Sequence, residues 1–445
     1  MQNKIVDTDK SQVKEFGGPV GTFVLFLWSH YIMLYFWLSL EFYDGGFFYP
    51  SSFQEIPSFF TTHVGKIISH GLPTCESITI LSVFLIIETL FAIYMPGPVV
   101  KGLPVPSENN IQHTYYCNAY SSWYTTLALL AILNITGLFP LSRIVELHGP
   151  LMVTSMIFSN ILAIIIHMTA ILKGKQIRMS GNHFYDFFMG AWLNPRIGNF
   201  DLKLWAEIRI SWMQLFIITL SAAVKHYELT GGVSGSMLLI LLAHFLYSNA
   251  CMKGEECVVT TWDIFYEKWG WMLIYWNIAG VPYVYCFQSL YILKNNPHVP
   301  APLLLIFCVA LLGAYYIWDT AQAQKNRFRM KLRGTYTPRN TFPQLPWGTL
   351  ENPKYLDTEA GDKLLIDGWW KYARKIHYTA DIVMAFVWGL SCGFRGILPY
   401  FYPFFFFGMI IHRYSRDIVR CRRKYKKDWD KYLEIVKYAF IPGII

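Results

Sequence analysis

Stretches of about 20 consecutive apolar residues recur along the whole chain, and no other feature constrains its fold as tightly. A bilayer's hydrocarbon core is roughly 30 Å thick and takes about 20 helical residues to cross. Such stretches fall near residues 21–42, 78–96, 123–141, 151–173, 208–225, 235–251, 270–293, 301–318, 380–394 and 397–411. Backbone groups in lipid must find partners inside the protein, so only helices or a closed barrel can span it. These runs lack the strict alternation of barrel strands, which selects helices. The expected fold is therefore all-α: a polytopic membrane protein with about ten transmembrane helices, the last two short and separated by Gly393, Arg395 and Gly396.

Composition and motifs narrow the chemistry. Of 445 residues, 54% are hydrophobic and 15% charged, where a soluble domain carries about 25% charged residues. Eight scattered cysteines form no CxxC pair, which argues against structural zinc or a disulfide framework and predicts buried thiols. The twelve histidines fall singly from His30 to His412, without the clustered spacing of a di-iron centre. A P-loop, an HExxH motif and a GxGxxG turn after a strand are all missing. Neither a metal nor a nucleic acid is expected as a partner. The polar N-terminal residues do not resemble a cleaved leader, so the first apolar segment is expected to be retained as an anchor.

Net charge is +9, and it is concentrated. Residues 321–340 hold six basic side chains and no acid, while residues 413–437 hold ten basic and four acidic ones, leaving the remainder at −3. The positive-inside bias alone explains two cytoplasmic cationic segments, and anionic lipid headgroups would also fit them. The order of residues says more. On a helix, His412, Arg416, Arg420 and Lys424 align, beside a stripe of Arg413, Asp417, Cys421 and Tyr425. A face mixing Arg, Asp and Tyr suits a ligand bearing both phosphates and hydroxyls. Within the apolar runs, Glu88, His167 and His244 are either functional or satisfied by interhelical hydrogen bonds.

HRYSRDIVRCRRKYKKDW, from His412 to Trp429, resembles the C-terminal signature of the membrane sterol reductases, the family of the C14, C7 and C24(28) reductases and the lamin B receptor. GNHFYDFFMGAWLNPRIG, from Gly181 to Gly198, is similar to that family's second signature, including Tyr185, Asp186, Gly190, Asn194 and Arg196. For these polar residues, loop-locking and substrate contact are both open roles. The resemblance extends through Trp370, Tyr378, Leu398, Pro399, Tyr400, Pro442 and Gly443. Segments 15–19, 42–45 and 254–282 look most like the C24(28) reductases of ergosterol-type pathways. Two departures stand out: Lys426 occupies a position where the signature usually has Gly, and His377 one where Asn is common.

The resemblance implies NADPH-dependent reduction of a sterol double bond, most similar to the side-chain C24(28) reaction, with a C14 or C7 reductase or a non-catalytic sterol-binding protein as alternatives. An isoprenylcysteine-type methyltransferase shares the basic, aromatic C-terminal pattern. The implied organisation is a short polar segment at 1–20, a transmembrane and sterol-facing region at 21–318, and an NADPH-binding region at 319–445. The implied cofactor residues are Lys325, Arg329, Leu365, Trp370, His377, Tyr378, Asp417, Cys421, Arg422, Arg423, Lys424, Tyr425 and Tyr432. Charge patterning adds Arg416 to this set. The membrane would be endoplasmic reticulum in a eukaryote and the inner membrane in a bacterium.

An unactivated alkene has no carbonyl to accept charge, so protonation to a tertiary cation precedes hydride delivery, and the protein must supply an acid. Asp263 and Glu267, at i and i+4, share a face if their stretch is helical. Aromatic neighbours would keep a buried carboxyl protonated and stabilise a cation. Capping by Asp263, or pairing of either acid with Lys268, is the structural reading of the same residues. Tyr283 and Tyr285 are rival donors, exposed to a cavity if Pro282 breaks the helix.

Overall fold

Lipid as solvent rewards unbroken helices, and the computed structural model, which describes residues 14–338 and 341–444, is built mostly of them. The principal helices are α1 (Glu15–Phe42), α2 (Cys75–Tyr94), α3 (Ala119–Ile135), α4 (His148–Leu172), α5 (Leu202–Thr230), α6 (Gly235–Lys253), α7 (Ala301–Arg333), α8 (Ile376–Leu390) and α9 (Phe401–Tyr425). Among the described residues, α1, α2, α4, α5, α6 and α7 are long and apolar enough to cross a membrane.

The chain divides into two units, Met1–Val233 with Tyr247–Asn295, and Ser234–Leu246 with Asn296–Ile445, so α6 contributes to both. In the first unit, the apolar stretch expected at 270–293 is helical but interrupted. Helix Trp271–Tyr275 runs into a π turn at Trp276–Gly280, then Val281–Val284, and resumes as Phe287–Asn295. Pro282 lacks the N–H that an α-helix needs there, and the wider turn just before it absorbs the mismatch.

The expectation of an all-α chain holds for the spans and fails in the connections. There the backbone pairs as three antiparallel hairpins: β1 (Val99–Val105) with β2 (Ile111–Tyr116), β3 (Arg196–Ile197) with β4 (Phe200–Asp201), and β5 (Tyr355–Asp357) with β6 (Lys363–Leu365). Connecting backbone has the same unmet donors and acceptors as any other, and short ladders satisfy them. The polar connection expected from residue 319 is helical as far as Arg333, and the apolar run and basic segment near the C-terminus form one helix, α9. All eight cysteines are free, yet only Cys117, Cys286, Cys392 and Cys421 are buried, so buried thiols were expected too widely.

Helix ends in this environment need side-chain partners. The Asn118 amide donates to the carbonyls of Phe91 and Ala92 at 3.1 Å and of Met95 at 2.8 Å, closing the C-terminus of α2. Thr74 and Ser77 close its other end with a reciprocal capping box. Glu88, within α2, accepts from Thr126 Oγ1 of α3 at 2.6 Å, so this acid serves an interhelical hydrogen bond.

Helix α9 ends because Lys426 turns to φ 47°, ψ −120°, after which α10 (Lys427–Ile435) begins. That conformation favours glycine, the residue usual at this position of the resembling signature. Holding a lysine there costs about 1–3 kcal/mol. Lys426→Gly is therefore expected to raise the thermal midpoint of the purified protein, and an unchanged or lower midpoint would contradict this reading.

Candidate functional site

In the second unit, the polar half of α7 receives the segment Gly368–Lys371 as a strap. Trp369 N donates to Gln324 Oε1 at 3.0 Å and its indole to Thr320 Oγ1 at 2.8 Å, while the Trp370 indole donates to the Ala321 carbonyl at 2.9 Å. Trp370 is buried with Leu365 and Phe328. Its ring carries the Lys325 ammonium 4.0 Å from the centroid, a contact worth about 0.5–2 kcal/mol depending on desolvation. The His377 ring lies 5.0 Å from Trp370 and 4.3 Å from Tyr378. Its Nδ1 is buried without a hydrogen-bond partner.

The stripe expected on α9 lies on one helix, and two residues that sequence reading did not single out, Lys375 and Asp362, help to organise it. Asp417 accepts from Lys375 Nζ at 2.5 Å and from Arg420 at 2.9 Å. Burial opposes its ionisation, but Lys375, Arg420 and Lys325 prevail and hold the carboxyl at about 2. Asp362, at the β5–β6 hairpin, pairs with Lys424 and accepts from the Tyr425 hydroxyl at 3.1 Å. Burial raises the Cys421 thiol, helped by the Asp417 charge. Burial also raises the Tyr432 hydroxyl. Cys421, Trp429, Tyr432 and Val436 form a small core against Tyr425. Behind them Arg374 grips the Val436 and Lys437 carbonyls at 2.5 and 2.7 Å.

Against this frame two cations stand apart. Among the described residues, neither Lys325 nor Arg329 has a carboxylate within ion-pair distance. Arg422 and Arg423 are exposed on the last turn of α9, and Arg416 is half-buried. Lys325 and Arg329, an aromatic platform and the orphaned His377 Nδ1 form a donor set able to hold a phosphorylated, ring-bearing ligand. Asp417 is already committed to Lys375 and Arg420, so its direct effect is to fix those cations.

The four acid candidates belong to the first unit. Asp263 and Glu267 were expected on one helical face, and the structure corrects this: the helix covers only Trp262–Phe265, and Glu267 lies beyond its end. The Glu267 carboxylate accepts from the Trp262 indole at 2.6 Å. Buried Lys203 donates to the carbonyls of Asp263, Ile264 and Glu267 at 2.7, 2.9 and 2.8 Å, and Lys268 donates to those of Ile177 and Arg178. The loop is thus tied through its backbone. Tyr283 is buried, and its hydroxyl accepts from Gln214 Nε2 at 3.0 Å and Ser155 Oγ at 3.2 Å. Tyr285 is buried near the Trp276 and Trp212 rings. Gln214 and Ser155 carried no sequence signal, being ordinary polar residues within apolar helices.

Within the second signature, Asp186 and Arg196 tie loops together. Asp186 accepts from the backbone of Ser180 at 2.8 Å and Gly181 at 3.1 Å. Arg196 pairs with Asp201 at 2.9 Å and donates to the Thr114 carbonyl at 3.0 Å. Gly190, at φ 97°, lets its backbone lie against Gly270, where a Cβ would come within 2.5 Å of the Gly270 nitrogen.

Membrane-length helices joined to polar, cation-rich connections define a multi-pass helical membrane protein. Residues 10–445 match the profile of the Ergosterol biosynthesis ERG4/ERG24 family, and the chain belongs to that family. It is 43% identical to the Delta(24(24(1)))-sterol reductase erg4A of Aspergillus fumigatus, over 99% of this chain and 95% of that protein. It is 44% identical to the Delta(24(24(1)))-sterol reductase of Gibberella zeae, over 98% of this chain and 74% of that protein. Identity to the Delta(14)-sterol reductase of Dictyostelium discoideum is 35%, over 97% and 92%.

The Lys375–Asp417 pair has a defined pH signature. Asp417 is held below its unfolded value near 4, so the pair's contribution, about 2 kcal/mol, is complete above that value and lost as pH falls toward 2. The difference in thermal midpoint between wild type and Asp417→Asn is expected to stay constant from about pH 8 to 5 and to shrink below about pH 4. A difference that vanishes near neutral pH would contradict the assignment.

Proposed function

We propose that this chain is an NADPH-dependent sterol reductase of the endoplasmic reticulum membrane, saturating the side-chain alkene between C24 and its methylene carbon, C28. The carrying observation is the 43–44% identity, over nearly the whole chain, to two Delta(24(24(1)))-sterol reductases, against 35% to a Delta(14)-sterol reductase. In this reading α3, the interrupted helix at 271–295, α8 and the apolar half of α9 join the six long helices to make ten crossings. The basic ends of α7 and α9 then face the cytoplasm.

The residues of the second unit fit a dinucleotide phosphate. Lys325 and Arg329 neutralise its phosphates, with Arg416, Arg422, Arg423 and Lys424 at the rim. Trp370, His377 and Tyr378 offer ring faces and a free ring nitrogen, backed by Leu365, Cys421, Tyr425 and Tyr432. Asp417 holds Lys375 in place. When bound, NADPH supplies hydride.

Protonation is the protein's own task, and Tyr283 is the donor that geometry favours. Its oxygen accepts two hydrogen bonds, so charge left on it after proton loss is stabilised by Gln214 and Ser155, while its own hydrogen is free for the alkene. Asp263 and Glu267 act through the loop they belong to, and Tyr285 contributes to the wall.

Turnover of purified protein with NADPH and separate C24(28)-, C14- and C7-unsaturated sterols tests the substrate; reduction of only a ring alkene overturns it. Tyr283→Phe is expected to lower kcat by about 10²–10⁴-fold at unchanged NADPH affinity. Lys325→Met is expected to weaken NADPH binding by about tenfold or more. Lys363→Met, at a half-buried lysine whose ammonium is engaged by Asp357 and Tyr355, serves as its control, and equal affinity in both variants would refute the phosphate site.

A further inference from the structure

Within the first unit lies a cavity of 270 Å³ that none of the four acid candidates lines. Its walls come from the end of α2 (Ala92, Ile93), the β2 strand (Tyr115, Tyr116), the β3–β4 hairpin, and the start of α5 with Trp205 and Arg209. The charges in these walls cancel in pairs. Arg209 reaches Glu255 at 3.3 Å and Ser122 at 2.6 Å and also bonds Asn118, while the other Glu255 oxygen accepts from Ala119 N at 2.8 Å. Asp201 is met by Arg196 at 2.9 Å and by Leu204 N at 2.8 Å.

One polar group is left over. The Trp205 indole N–H is buried without an acceptor, in a side chain only 6% exposed. A buried donor without a partner costs about 1–3 kcal/mol. Around the cavity, Ile93, Tyr116 and Ile197 are exposed. Ile93 sits in the last turn of a membrane-length helix, which places the mouth where apolar chains meet polar headgroups.

We propose that this cavity seats the hydroxyl end of a second sterol molecule, distinct from the one whose alkene is reduced. A hydroxyl is neutral, accepts from the Trp205 indole and donates to a carboxylate oxygen of Asp201 or Glu255. An anionic headgroup would face both carboxylates, a cation would face Arg209, and a bare hydrocarbon would leave the indole unpaired. The cavity takes the hydroxyl and first rings, and the rest of the sterol follows the apolar mouth. The inference rests on the membrane and sterol reading of this chain but not on which alkene it reduces.

The test is a titration of the full-length protein in nanodiscs with the fluorescent sterol dehydroergosterol, read by energy transfer from tryptophan. Wild type is expected to bind two equivalents per chain, and Ala92→Phe, which fills the cavity, one equivalent with kcat/KM unchanged. Trp205→Phe keeps the ring and loses the N–H, so one equivalent should weaken by about fivefold; this holds the test open should Ala92→Phe fail to fold. A sterol acetate, lacking the free hydroxyl, is expected not to compete. One equivalent in wild type, or two retained in a folded Ala92→Phe, overturns the site. Competition by phosphatidylinositol as strong as by free sterol overturns the neutral headgroup. Loss of turnover in step with the lost equivalent makes this the substrate's own seat and overturns a separate one. Failure of the alkene assay alone leaves the binding result standing, so the two readings fail distinguishably.

Discussion

Hydrocarbon offers a polar group no partner, and most of what is distinctive in this protein is an answer to that constraint. Asn118 covers the last carbonyls of α2 because water cannot. Lys203 is buried and spends its three donors on three backbone carbonyls of one loop. Arg209 and Glu255 are buried as a hydrogen-bonded set rather than as isolated charges. Removing one partner from such a set is typically worth 3–5 kcal/mol, far more than the pair itself adds. These are the positions where single substitutions will be felt most.

The same constraint explains how the chemistry is divided. Excess positive charge collects at the polar ends of α7 and α9, where Asp417 and Asp362 pair directly with Lys375, Arg420 and Lys424 and, among the described residues, leave Lys325 and Arg329 outside ion-pair distance of a carboxylate. The buried hydroxyl of Tyr283 instead belongs to an apolar surround with two neutral donors. On the proposed reading, a phosphate-bearing cofactor takes the first environment and a transient carbocation the second.

How much was readable beforehand follows from the range of each signal. The long helices and the stripe of Asp417, Cys421 and Tyr425 lie in periodicity within a few turns, so the sequence displays them directly, whereas a short span followed by a basic segment was expected where α9 runs unbroken. Lys426 was visible as a departure from a resembling signature, and its positive φ supplies the physical reason. Lys375 pairs with Asp417 across 42 residues, and Gln214 meets Tyr283 across 69, so only the folded chain brings these partners together. The helical face expected for Asp263 and Glu267 failed because the helix closes at Phe265, and the backbone bonds to Lys203 leave no periodic trace. Two of the three hairpins were missed because two- and three-residue strands are too brief for alternation to register, and β1 with β2 because their burial does not alternate strictly and their register is interrupted.

The central claim is that a proton from the protein, not a hydride, first meets a side-chain alkene. Turnover of a C24(28)-unsaturated sterol in D₂O, and separately with NADPH deuterated at the transferred position, locates both hydrogens by mass spectrometry and NMR of the product. The account predicts solvent deuterium on the methylene carbon C28, which becomes a methyl group, and cofactor deuterium at C24. The reverse distribution, or both labels arising from one source, would contradict it.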